Sequence, residues 1–255
     1  MLTIRQEQTE AFRQHHLQKF EDEMVMHLKK FAARHWKMMG DEDGRRVIGL
    51  GMERAKGHGF TNRGPIRFYI ELMFMFGSYF DTDPQYPWAK AALQDPNSLD
   101  QMLRADRLYN RMNDYLAQVS GPEHQYLVEA TQRLSEVRVE DFVSSGQGLE
   151  ASILRAARAV YPQKYDYLGE QVVRTLIRHG FELAQRYGFE SDKGKILMVI
   201  LTFSVGHGFP KDPLNRWIVR RLDTKRWPDE YRRVDELYSK AQLYLEHIVA
   251  GGSKD

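Results

Sequence analysis

The feature that most constrains this chain is that it matches itself. Placing "GMERAKGHGF" at Gly51 over "GFELAQRYGF" at Gly180 sets an offset of 129 residues that holds without a gap far in both directions. Upstream it pairs Gly40 with Gly169, Arg45 with Arg174 and Ile48 with Ile177. Downstream it pairs Phe74 with Phe203, and then "DRLYNRMNDYL" from Asp106 with "DELYSKAQLYL" from Asp235. Roughly two dozen identities fall over roughly one hundred positions, several times the chance level, and self-similarity at a fixed period is the mark of a repeated structural unit. A slip of one residue carries the match to the front, where Ile4, Glu10 and Phe12 meet Leu134, Glu140 and Phe142. The expectation is a tandem duplication, residues 1–121 and 130–251, packed as a pseudo-two-fold pair. The joining "GPEHQYLVEA" is too short and too apolar for a free tether.

The repeat unit reads as helices throughout. A first long helix is expected from Ile4 to Ala33, with Phe12, Leu17, Phe20, Met24, Leu28 and Phe31 mostly three or four residues apart. Gly40 stops one segment, and the acidic "DED" opens a second helix that ends at Gly59. Pro65 suits the first turn of a buried third helix. A short helix follows from Trp88 to Leu93, and an amphipathic one from Leu99 to Val119. No segment alternates apolar and polar at period two, so the fold class is all-α.

Both copies carry the skeleton G-x-x-F-x-x-D-P-x-x-x-W, as "GSYFDTDPQYPW" and "GHGFPKDPLNRW". The shared residues read as a structural joint. Gly77 and Gly206 end a helix, and Phe80 and Phe209 plug the core. Asp83 and Asp212 act as N-caps, with Pro84 and Pro213 at the first helical position and Trp88 and Trp217 as anchors. The first-copy residues that differ, Tyr79, Asp81, Tyr86 and Pro87, are candidates for contact with a partner. Trp227 and Tyr231, in the basic "VRRLDTKRWPDEYRR", are two more.

Composition narrows the chemistry. Cysteine is absent, which excludes disulfides, thiolate metal sites and a cysteine nucleophile. The net charge of +2 sets up no strong field toward nucleic acid or a membrane surface. Asp223, Asp229 and Glu230 dilute the basic stretch around Trp227, so no nucleic-acid partner is expected. The most apolar run, Ile66 to Phe80, is shorter than the ~18–20 residues needed to span a bilayer and contains Arg67 and Glu71. The N-terminal stretch lacks the apolar core of a signal peptide. A cytoplasmic protein with no membrane partner is expected.

Three constellations could carry chemistry. His16, Glu23 and His27 share a helix face at near-whole-turn spacing, as metal ligands would. The second copy places Ser152 and Ala156 opposite Glu23 and His27, and no histidine pairs with another across the duplication. Ser78 or Ser204 with His207 and Asp83 or Asp212 would be a hydrolase set, but there is no G-x-S-x-G elbow, and Ser78 aligns with His207. The glycines of "GMERAKGHG" follow a helix rather than a strand, so they have no nucleotide-binding context. No cofactor, no metal and no enzymatic activity is expected. An enzyme or ligand-binding protein with one asymmetric site is the alternative.

The combination "LTIRQEQTEAF", "FEDEMVMHLKKF" and "YIELMFMFGSYFDTDPQYPWA" resembles a family of helical proteins encoded in bacterial type VI secretion clusters, beside spike proteins and effectors. The resemblance covers roughly the first hundred residues; the second copy keeps only the skeleton. It implies a non-enzymatic accessory protein that binds a secreted effector or spike component as an adaptor or chaperone, or an immunity protein that neutralises a toxin. No catalytic residues follow from it.

Overall fold

The structure is a computed structural model that describes residues 6–94, 100–137, 142 and 148–249. Among these residues there is no strand. The helices are α1 (Gln6–Phe31), α2 (Ala33–Gly57), α3 (Arg63–Phe76), α4 (Pro87–Leu93), α5 (Gln101–Val119) and α6 (Gln125–Glu136). They continue as α7 (Leu149–Val160), α8 (Pro162–Leu168), α9 (Glu170–Arg186), α10 (Asp192–Val205), α11 (Arg216–Leu222) and α12 (Glu230–Val249). Ile4, Leu99 and Glu140, which the sequence pattern assigns to helix starts or to the repeat match, lie outside the described residues. No described helix is long and apolar enough to cross a membrane.

Element bounds recur at the offset read from the sequence. α10 begins and ends 129 residues after α3, and so does α11 relative to α4. α12 begins 129 residues after α5. α8 and α9 together cover the counterpart of α2, and they break at Gly169 where α2 kinks at Gly40. The expected stop at Gly40 is present as a non-helical residue with φ 79° and ψ 175°, where two helical segments of α2 meet at a kink, and "DED" opens the second of them. α7 matches only the last part of α1, from Phe20 to Phe31. Residue 130 falls inside α6, a joining helix that packs on α7 and α12, so the chain has no loop at that boundary.

Packing follows the amphipathic pattern. Met24 and Leu28 of α1, Val47 and Ile48 of α2, and Tyr69, Ile70, Leu72 and Met73 of α3 are buried in one core. Asp100 caps α5 through bonds from the backbone N–H groups of Met102 and Leu103. In the second half, Leu197, Met198 and Leu201 of α10 pack with Val234 and Leu237 of α12. The halves also share apolar contacts. Tyr161, Tyr167 and Leu214 pack on the first-half core, and the Tyr167 ring meets Tyr115 edge-on at 5.1 Å.

Candidate functional site

The two Asp-Pro segments meet each other across the molecule. Asp83 accepts through Oδ2 from the backbone N–H of His207 at 2.8 Å. Asp212 accepts through Oδ2 from the backbone N–H of Ser78 at 2.8 Å. Each carboxylate thus binds the residue that follows the other half's helix-ending glycine. The second oxygen serves the local turn. Asp83 Oδ1 accepts from Gln85 N at 2.9 Å, and Asp212 Oδ1 from Leu214 N at 2.9 Å.

Gly77 and Gly206 make that approach possible. Their φ values are 93° and 94° with ψ near 150°, a region that side chains essentially exclude. A Cβ on Gly77 would lie 3.1 Å from the Val205 carbonyl oxygen, and one on Gly206 would lie 3.3 Å from Asp83 Oδ2. Phe80 and Phe209 are fully buried beneath the junction. The expected N-cap role needs correction in the first half. Asp83 caps a turn, and α4 starts only at Pro87, with Tyr86 before it. Asp212 does cap a helix, a 3-10 turn over Pro213–Asn215.

The two crossings differ in charge environment. Burial pushes the Asp83 carboxyl up, but the His207 ring and the N–H groups of Gln85 and His207 outweigh it and hold it below the usual carboxylate range. His207 Nδ1 lies 3.1 Å from Asp83 Oδ2. Asp212 has only the Ser78 hydroxyl in that place, donating at 2.6 Å, and burial dominates, so its pKa is raised. Ser78 is buried and already committed to a carboxylate, so the hydrolase set built on it finds no free nucleophile there.

Tyr79 and Gly208 occupy equivalent positions and fit each other. A Cβ on Gly208 would come within 2.5 Å of the Tyr79 ring, whose other contacts include the Arg54 guanidinium at 4.6 Å. Arg54 also bonds Asp81, which accepts from His58 Nε2 at 2.7 Å. Burial pushes the Asp81 carboxyl up, yet His58 and Arg54 bring it down to about 2. Of the four first-half residues expected to face a partner, Asp81 and Tyr86 are buried and Tyr79 packs across the junction. Only Pro87 is exposed. In the basic stretch, Tyr231 is 72% exposed and Trp227 lies between Arg221 and Arg232, with guanidinium carbons 5.9 and 5.0 Å from its ring.

One pair escaped the sequence reading although it sits at the same offset. Arg104 donates to the carbonyls of His58 and Gly59, and Arg233 to those of Tyr187 and Gly188. Each guanidinium also stacks on the aromatic ring that follows, Phe60 at 4.9 Å and Phe189 at 4.4 Å. Both arginines close the exposed carbonyl end of a helix, α2 in one half and α9 in the other.

Two of the three candidate metal ligands are engaged elsewhere. Glu23 pairs with Arg63, and His27 Nε2 lies 2.6 Å from Glu71. His16 is exposed, and among the described residues no three His, Asp or Glu side chains converge as ligands would.

No known protein family, curated protein sequence or solved structure matches this chain.

Proposed function

We propose that this chain is a tandem duplication of a helical unit of about 120 residues, packed as a pseudo-two-fold pair, that works as a non-enzymatic, protein-binding accessory protein. The duplication reading is supported by the recurrent element bounds and by the paired Asp83/Asp212 and Arg104/Arg233 contacts. The polar groups of the junction bind backbone and one another, which is structural work. Read with the resemblance of the first hundred residues, the setting is a type VI secretion cluster, the compartment is the cytoplasm, and the partner is a secreted effector or spike component.

The observation that carries the binding role is the N-terminal part of α1. Glu10 to Lys19 are all exposed, and burial begins only at Phe20. α1 thus runs beyond the counterpart of α7 by about 20 Å at 1.5 Å per residue. This arm exposes Phe12 at 65% and Leu17 at 45%, two large apolar side chains of the kind an interface buries.

The test is capture of the effector or spike component encoded beside this gene. The full chain should capture it, and a Phe12→Ser/Leu17→Ser variant with unchanged thermal unfolding should not. Equal capture by both proteins would remove the arm from the interface. Protection of cells from the effector, without any effect on its delivery, would assign the immunity role instead.

A further inference from the structure

A cavity of about 550 Å³ lies between the two halves, within the usual range for small-molecule sites. Its walls come mainly from α3, α5, α6, α7, α8 and α10, and are largely hydrocarbon, with Phe74, Leu127, Leu134, Ile153, Val160 and Phe203 among them. Among the described residues that line it there is no Asp, Glu or Arg. Lys164 is its one lysine, alongside His35 and His124. Four of its lining residues, Phe31, Met75, His124 and Ser204, are exposed.

Lys164 has an unusual position. Its Nζ donates to the Phe203 carbonyl at 3.3 Å and lies 6.0 Å from the Tyr86 ring centroid. No described carboxylate is within the 4.0 Å of an ion pair. Burial pushes the amine down to about 8, with Asp83 near enough to oppose that shift. Lys164 is half-buried, and its one described hydrogen-bond partner, a carbonyl, leaves its charge without an anion that one brought into the cavity would supply.

We propose that this cavity binds a long-chain carboxylate of the free fatty-acid class, with its chain against the apolar walls and its carboxylate on Lys164 Nζ. The charge selects an anion, since no carboxylate among the described lining residues competes for the lysine or would attract a cation. The walls select hydrocarbon, because apolar surface placed against them is removed from water. At the ~30 Å³ that a small group takes up in a liquid, the space holds roughly 18 non-hydrogen atoms, enough for a chain of about 16 carbons with its carboxylate. The inference stands apart from the protein-binding reading, because none of the exposed residues from Glu10 to Lys19 lines the cavity.

The experiment loads the purified full chain with a fluorescent polyene fatty acid and displaces it with dodecanoate, 1-dodecanol or dodecyltrimethylammonium. The wild type should prefer dodecanoate over the alcohol by about tenfold or more, the worth of one charge-assisted bond. Lys164→Met should abolish that preference while keeping alcohol binding, and Ala156→Phe, which fills the cavity, should lose both. The comparison of acid with alcohol uses the wild type alone, so it stands even where a variant folds poorly. No binding of dodecanoate, equal binding of acid and alcohol, or equal binding of the ammonium compound would overturn the proposal.

Discussion

Asp83 and Asp212 hold the two halves of the molecule by the same bond made in opposite directions. Asp83 accepts from the backbone N–H of His207, and Asp212 from that of Ser78, each at 2.8 Å. Because His207 stands where the other half has Ser78, only the Asp83 crossing has a neighbouring ring to support its charge. Burial wins at Asp212 and loses at Asp83.

That asymmetry predicts unequal costs for the same substitution. Asp83→Asn removes a carboxylate whose ionised form is stabilised, and should cost about 2–4 kcal/mol at neutral pH through unsatisfied N–H groups and the loss of the His207 contact. Asp212→Asn removes a charge that burial disfavours, and should cost less. Asp212, its pKa raised on folding, contributes stability below its unfolded pKa that is lost as pH rises. Urea unfolding of the two variants at pH 7 checks the order, and an equal or reversed order contradicts the electrostatic reading.

Asp81 contributes to the acid sensitivity of the fold. Its folded pKa is depressed from the ordinary 3.8 to about 2. Its contribution is therefore complete above pH 4 and lost as pH falls through 2, because the unfolded chain takes up the proton first. The amount is about 2 kcal/mol. The stability gap between the wild type and Asp81→Asn should narrow by that amount between pH 5 and pH 2, as read from urea midpoints. A gap that stays constant with pH would show that Arg54 and His58 do not hold Asp81 ionised.

The Tyr79–Gly208 fit predicts a steric penalty with no electrostatic part. Gly208→Ala puts a methyl group within 2.5 Å of the Tyr79 ring and should cost about 1–3 kcal/mol. Tyr79→Phe should cost almost nothing, since the hydroxyl reaches the Lys211 carbonyl only at 3.5 Å. Thermal unfolding of both variants, and of the combined Gly208→Ala/Tyr79→Ala, tests it. The double variant should recover part of the loss caused by Gly208→Ala.

Arg104 and Arg233 make equivalent contacts at different depths. Arg233 is 2% exposed, whereas Arg104 is partly open to solvent. Lysine cannot span two carbonyls and stack on a ring at once. Arg233→Lys should therefore lower the unfolding midpoint more than Arg104→Lys, with roughly 2–3 kcal/mol for the buried case. Equal midpoints would show that the fork at Arg233 contributes no more than the partly open one at Arg104.

The sequence carried the all-helical class, and the element bounds recur at its offset of 129 residues. Its limits at this site are those of local spacing. Asp83 and Gln85 are two residues apart, so the turn bond is legible, but the bond to His207 spans 124 residues and no pattern within one copy reports it. Asp81 and Tyr86 resemble surface residues by type and by their place in a loop, and only packing against Arg54, His58 and the aromatic core reveals them as buried. Arg104 and Arg233 could have been found, since the offset of 129 pairs them directly. The cavity could not, because its lining is assembled from helices far apart in the chain.

The crossed aspartates join the two halves, and tryptophan fluorescence reads each half separately. Trp36 and Trp88 report on the first half, Trp217 and Trp227 on the second. Urea unfolding of a variant that keeps Trp88 alone should give the same midpoint as one that keeps Trp217 alone. Asp83→Ala should lower both midpoints together. Two separate transitions in the wild type, or an Asp83→Ala effect confined to the Trp88 signal, would contradict that link.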